Sequence, residues 1–275
     1  MPDRLQLLSV KIALLDSGIG LLAAAAAVRR ARPDADLVLS CDPDGMPWGP
    51  REAEDITAHA LQCARAAAAH QPDALIVACN TASVHSLPAL RAELEPALPV
   101  IGTVPAVKPA AAAAARTGGP VAIWATPATT GSPYQRRLIE EFGHGADITG
   151  VPCHGLADAI ESGDERRIDA AVAAAAQRTP QGVPTVVLGC THYELVGARI
   201  REALRGSRTE GPVLHGSAEA VAAQALRRAG GGPRPDAAPT GSLTVLHSGK
   251  AAALPREALV YAEGRLLAAE SAARG

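Results

Sequence analysis

The feature that most constrains this chain is a pair of apolar runs that each end in a cysteine. Leu75-Ile76-Val77-Ala78 leads directly into Cys79-Asn80-Thr81-Ala82-Ser83, and Val186-Val187-Leu188 leads through Gly189 into Cys190-Thr191-His192-Tyr193. A short unbroken apolar run closed by small polar residues reads as a strand covered on both faces, the kind that parallel sheets contain. Parallel strands need long crossovers, usually helices, so these two runs call for an α/β fold. Ligands bind at the carboxyl ends of such strands, which is where both thiols fall.

The rest of the chain alternates accordingly. Strands are expected at 11–15, 37–40, 99–101, 121–124, 147–151, 213–215 and 243–246, besides the two cysteine strands. Helices are expected at about 22–32, 52–69, 84–94, 134–142, 155–161, 164–177 and 217–229, with a last one ending near Ala268. The stretch from Cys41 to Pro50 is rich in Asp, Pro and Gly and reads as loop. Cys190 follows Cys79 by 111 residues, and Thr126, just past one strand, follows Asp16, just past another, by 110. A shared period of this size is the mark of a duplicated unit. The expected architecture is therefore two similar lobes, each a mostly parallel sheet flanked by helices. Residues 1–98 with 211–275 form the first and 99–210 the second, with the active site in the cleft between them.

Composition narrows the function. A chain of 275 residues with 48% hydrophobic residues can bury a sizeable core, although aromatics supply only 2% and alanine dominates. The net charge of −2, with both signs interspersed, argues against a nucleic-acid or polybasic membrane surface. No apolar run approaches a membrane span, and Met1 to Leu8 is too short and too charged for a secretory signal. Five cysteines, an odd number in a long chain, do not suggest a disulfide framework. The expectation is a soluble cytoplasmic protein whose partner is a small molecule.

A single thiolate at a strand end could serve as a nucleophile. Two thiols on opposite sides of a cleft suggest instead that one removes a proton from carbon while the other returns a proton to the opposite face. That is inversion of a stereocentre, and it needs no cofactor. The carbanion formed on the way requires hydrogen-bond donors, for which Asn80, Thr81, Ser83 and Thr191 are candidates. Asp16, Glu161 and His192 are candidates for tuning the thiols.

Asp16-Ser17-Gly18, Cys79-Asn80-Thr81-Ala82-Ser83 and Gly189-Cys190-Thr191-His192-Tyr193 resemble the three signature motifs of bacterial glutamate racemases, in the aspartate/glutamate racemase superfamily. Pro47-Trp48-Gly49, Val104 to Pro109 and Ala125 to Thr129 with Tyr134 extend the resemblance, which runs from about Lys11 to Arg228. It implies a cofactor-independent, metal-free two-base racemase that interconverts L- and D-glutamate for peptidoglycan synthesis. In such an enzyme Cys79 deprotonates the D-enantiomer and Cys190 the L-enantiomer, assisted by Asp16 and His192 on opposite sides, with Glu161 completing the set. The resemblance further implies that the substrate side chain sits among Pro47, Trp48, Gly49, Thr126 and Thr129. Ser17, Asn80, Thr81 and Thr191 then hold its amino-acid end.

Against the family pattern, Leu21 stands where Gly is usual, Trp48 where Tyr is usual and Ala128 where Gly is common, and His215-Gly216-Ser217 replaces a usual Asp-Ser-Gly. The changes gather around the substrate side chain, so racemisation of aspartate or another acidic amino acid stays open. So does a non-catalytic relative that captures a partner protein in the manner of gyrase inhibitors, and so does a homodimer. Cys41, Cys63 and Cys153 read as packing residues, and the spacing around Cys190 and His192 is not that of a zinc site. Gly18-Ile19-Gly20-Leu21-Leu22-Ala23 literally matches a dinucleotide fingerprint with Asp42 as its acid, but Asp16 and Ser17 intrude and that reading leaves both cysteine motifs without work.

Overall fold

Lys11-Ile12-Ala13-Leu14-Leu15-Asp16 opens the fold as β1 (Lys11–Asp16), buried from Ile12 onward. The computed structural model describes residues 10–206 and 209–272, so the segment from Met1 to Leu8 lies outside it. In chain order the further strands are β2 (Asp36–Cys41), β3 (Ala74–Val77), β4 (Val100–Gly102), β5 (Val121–Ala125), β6 (Ile148–Pro152), β7 (Thr185–Leu188), β8 (Val213–His215), β9 (Leu243–His247) and β10 (Lys250–Ala252). The helices are α1 (Leu22–Ala31), α2 (Ala53–Ala68), α3 (Asn80–His85), α4 (Leu87–Leu94), α5 (Val107–Thr117), α6 (Pro133–Phe142), α7 (Leu156–Ser162), α8 (Glu165–Arg178), α9 (Thr191–Glu194), α10 (Gly197–Arg205), α11 (Ala218–Arg228) and α12 (Ala262–Ala272).

The chain divides after Thr103 and again after Ser217 into two units, each with its own sheet. The first sheet has the order β10-β9-β2-β1-β3-β4, and the second β6-β5-β7-β8. Every pairing is parallel except β10 with β9. Within the first sheet, β2-β1-β3-β4 repeats the order of the second. β5 begins 110 residues after β1 and β7 begins 111 after β3. The duplication inferred from two loop pairs is thus a duplication of topology. In each unit the chain leaves the first strand toward one side and the third toward the other, so the crevice between their carboxyl ends is a topological switch point. Asp16 ends β1 and Cys79 follows β3, while Thr126 and Cys190 follow β5 and β7.

Two boundaries differ from expectation. The strand beginning at Val100, assigned above to the second lobe, pairs with β3 in the first sheet, and β8, assigned to the first lobe, pairs with β7 in the second. Each repeat keeps its fourth strand at its own sheet edge, so the crossing points shift to 103 and 217. The helix expected over 84–94 begins earlier and is broken at Ser86 into α3 and α4, because Pro88 has no N–H to continue the ladder. β10 was not foreseen at all. It is three exposed residues, reached through a two-residue turn in which Ser248 and Gly249 both have positive φ, the geometry of a primed hairpin turn.

α1 packs against α11 and α12, and its alanines let the helices lie close without large side chains. Near its end the guanidinium of Arg29, 1% exposed, donates to the carbonyls of Pro33, Ala35 and Ser242. That clamp ties α1 to the segment before β2 and to the residue before β9. The core of the first unit gathers Leu15, Val38, Trp48, Ile56, Val77 and Leu246 around α2. That of the second gathers Val107, Val121, Ile123, Leu138 and Val187.

Candidate active site

In the first unit the sheet pairing runs one residue beyond β3, where Ala78 N–H donates to Leu15 O at 2.8 Å. Cys79 follows in extended backbone (φ −134°, ψ 121°) as the residue that starts α3, and it is buried. Asp16, wholly buried at the end of β1, accepts the Ser17 N–H at 2.7 Å and lies 3.4 Å from the Ser17 hydroxyl. Asn80 is buried and Thr81 half-buried beside the thiol. Ser83, expected among the substrate donors, is occupied elsewhere. Its hydroxyl donates to Val77 O at 3.2 Å and accepts the Thr103 N–H at 2.9 Å, which pins α3 to the strand it follows.

The second unit repeats this construction. Gly189 N–H donates to Trp124 O at 2.7 Å, the counterpart of the Ala78 bond. No side chain fits there, since a Cβ on Gly189 would stand 2.9 Å from that same carbonyl oxygen. Cys190 then takes nearly the backbone of Cys79 (φ −140°, ψ 135°) and starts α9. Its sulfur lies 3.8 Å from Nδ1 of His192, and Nε2 of that ring lies 2.8 Å from a carboxylate oxygen of Glu161 on α7. Glu161 accepts the Nε2 proton, so Nδ1 of the neutral ring turns a lone pair toward the thiol. The line Cys190–His192–Glu161 can therefore take a proton from sulfur and stabilise the imidazolium that results.

The surroundings hold that line in place. Thr191 is buried. Tyr193 is fully buried and donates its hydroxyl to Cys153 O at 3.4 Å, and burial pushes its phenol well above the usual range. Burial, reinforced by the neighbouring Cys190, pushes the Cys153 thiol up to about 12, so it stays protonated and inert. Burial does the same to Cys63, whose thiol rises to about 12 with Asp42 and Asp16 adding to the effect. After β5 the hydroxyls of Thr126 and Thr129 meet at 3.1 Å, both half-buried at the switch point.

The 47–49 segment departs from expectation. Pro47 is exposed and Gly49 half-buried with open space where a Cβ would stand. The Trp48 side chain, expected to line the substrate pocket, instead points into the first core, 1% exposed, with its indole N–H on Asp42 at 3.0 Å. A bulky apolar ring gains more by burial than it would at a polar rim. Asp42, the acid of the dinucleotide fingerprint, is buried and engaged by Trp48, His59, Ser248 and Gly45. Glu194 is a further residue without a sequence signal. It accepts the N–H and hydroxyl of Ser217 at 2.8 and 2.9 Å. A Cβ on Gly216 would stand 2.2 Å from that carboxylate, so any side chain there would push Glu194 aside.

A duplicated α/β unit that sets a cysteine at the end of the third strand of each copy, one in line with an imidazole and a carboxylate, defines a thiol-based acid–base enzyme. The chain belongs to the Asp/Glu/Hydantoin racemase family, whose model matches residues 20–228. It is 37% identical over 202 residues to the glutamate racemase of Roseiflexus sp. (strain RS-1), covering 72% of each chain. With that of Pseudomonas putida it shares 34% over 227 residues, covering 81% of this chain and 82% of the other. Among solved structures it is similar to Escherichia coli glutamate racemase in complex with L-glutamate and the activator UDP-MurNAc-Ala, at a TM-score of 0.74 and 27% identity over 92% of both chains. The Thermus thermophilus glutamate racemase in complex with β-chloro-D-alanine matches at a TM-score of 0.64 and 27% identity, over 94% of this chain and 93% of the other. No helix among the described residues is long and apolar enough to cross a membrane.

Proposed function

We propose that the chain is a cofactor-independent glutamate racemase that makes D-glutamate for peptidoglycan in the cytoplasm, with Cys79 and Cys190 as its two bases. The observation that carries this reading is the equivalence of the two cysteines, which take the same extended backbone at the same strand end of a repeated unit. A pair of thiols so placed has a shared task, and proton transfer at the two faces of one α-carbon is a task that needs two. The names of the relatives supply the substrate. A non-catalytic partner-binding role would leave the Cys190–His192–Glu161 line idle.

In this mechanism a thiolate at Cys79 takes the α-proton of D-glutamate, and the electron pair left on carbon takes a proton from the Cys190 thiol on the opposite face. Asp16 assists the first sulfur. His192, its ring oriented by Glu161, supports charge changes on the second. Ser17, Asn80, Thr81 and Thr191 hold the amino-acid end and stabilise the developing negative charge. The side-chain carboxylate rests among Thr126, Thr129, Pro47 and Gly49, with Trp48 contributing backbone only. A homodimer is the assembly we carry forward.

Racemisation followed by circular dichroism, together with α-proton washout in deuterium oxide, tests this. Wild type should invert both enantiomers, and Cys79→Ala and Cys190→Ala should each lose inversion by about three orders of magnitude or more, the scale of a positioned acid–base group. Near wild-type inversion by either variant would end the two-base reading. Faster turnover of aspartate than glutamate would reassign the substrate.

A further inference from the structure

Asp42 follows β2 at its carboxyl end, 5% exposed, and gathers several parts of the first unit. Its backbone N–H donates to Ser17 O at 3.1 Å. One carboxylate oxygen accepts the Trp48 indole N–H at 3.0 Å and lies 2.8 Å from Nδ1 of His59 on α2. The other accepts the Ser248 hydroxyl at 3.0 Å and the Gly45 N–H at 3.3 Å. His59 in turn lies 3.5 Å from Asp55, which pairs with Arg51.

The packing leaves no slack. A Cβ on Gly45 would stand 2.0 Å from the Asp42 carboxylate and 2.6 Å from the His59 ring. A buried carboxylate is costly unless its lone pairs are filled, and donors from the 45–48 loop, α2 and the β9–β10 turn fill these. Three parts of the unit thus meet on one carboxylate, and moving any of them leaves one of its lone pairs unfilled. The Trp48 ring is held at both ends, by the core on its body and by Asp42 on its N–H. The main chain of Pro47 and Gly49 on either side can therefore shift only if that bond breaks.

We propose that Asp42 is the positioning residue of the substrate pocket. Through its main chain it fixes Ser17, and through its side chain it fixes the Pro47–Gly49 backbone. It thereby sets the span between the groups that hold the two ends of the substrate. This rests on the racemase reading of the same site. The partners of the Asp42 carboxylate are Trp48, His59, Ser248 and Gly45, none of them a base in the mechanism, so its loss should weaken substrate binding and leave the proton transfers intact.

The test compares Asp42→Leu, close to Asp in shape but unable to accept a hydrogen bond, Trp48→Phe and the double variant by steady-state racemisation of glutamate, and by hydrogen exchange of the tryptophan indole N–H groups in ¹⁵N-labelled protein. Trp48→Phe keeps a ring in the core and the carboxylate in place, so it remains informative if Asp42→Leu fails to fold. Each single variant should raise KM about tenfold with kcat changed less than threefold. The double variant should be no worse than the weaker single, because all three remove the same bond. Asp42→Leu should speed exchange at Trp48 and leave Trp124, whose indole N–H donates to Thr179, protected. An unchanged KM, a fall in kcat alone, or multiplied KM effects in the double variant would overturn the proposal. Wild type inert toward both glutamate enantiomers would sink the functional reading instead. The positioning claim would then be judged on the indole, where retained Trp48 protection in Asp42→Leu overturns it.

Discussion

Of the five cysteines, Cys190 alone is half-exposed, and the other four are buried. Cys63 and Cys153, both pushed up to about 12 chiefly by burial, remain thiols at any pH where the protein is handled. Iodoacetamide at pH 8 should therefore label Cys190 first and leave Cys63 and Cys153 unmodified, as read by peptide mass spectrometry. Glu161→Gln keeps a side chain of the same size beside His192 but cannot stabilise an imidazolium. It should lower kcat/KM by roughly tenfold to a hundredfold. Because enantiomers have equal free energies, kcat/KM must fall by the same factor in both directions whatever the variant changes, so the diagnostic is the fall itself, and an unchanged kcat/KM would sink the role given to Glu161. At this scale the placement of the two cysteines at strand ends, one beside His192, was legible from the apolar runs that precede them. The ring of Trp48 was not, because its direction depends on Asp42, and no local pattern says which way a loop tryptophan turns.

At the scale of elements, what holds the site is a set of ties from side chains to main chain. Ser83 and Thr103 both reach the carbonyl of Val77, fixing α3 at the end of β3. Ser83→Ala should cost about 1–2 kcal/mol, the range for a hydrogen bond whose partner is left buried, measured by urea denaturation. Arg29 has three carbonyl partners spread over two loops. Arg29→Met keeps its stem and strands those acceptors, so a loss of about 2–4 kcal/mol is expected, with the same denaturation series as the check. Strands and most helices could be read from apolar runs and Pro/Gly punctuation. The break at Ser86 was readable in principle from Pro88. The hairpin to β10 was hidden, because alanine carries almost no strand preference and Ser248-Gly249 is a weak turn signal.

For the whole molecule, the repeat explains why the sequence says so much about topology and less about boundaries. Spacing between strand ends survives duplication even when residue identity does not, whereas Val100–Gly102 and Val213–His215 are short edge strands whose sheet is decided by pairing alone. Both units bury groups that resist losing a proton, Cys63 in the first, Cys153 and Tyr134 in the second, each raised to about 12 mainly by burial. Unfolding returns them to ordinary values near 9.0 for the thiols and 10.0 for the phenol. A raised folded pKa favours the native state fully below the unfolded value, and that support disappears as pH climbs toward the folded one. Stability should hold steady to about pH 8.5 and decline from there toward 12. Cys63→Ala with Cys153→Ala should flatten that decline in denaturation curves taken at rising pH.

β10 has a consequence beyond the hairpin it closes. A sheet edge with unpaired N–H and C=O groups is a template for another chain, and β9 would present five such residues, with Val245 and Leu246 buried among them. By covering it with only three exposed residues that begin in Lys250 and are soon followed by Pro255, the fold leaves a foreign strand too little backbone to grip. A chain whose residues 250–252 were replaced by a flexible Gly/Ser stretch would keep both thiols and α12 and yet grow into oligomers through its bare margin, a fault of colloidal behaviour rather than of chemistry.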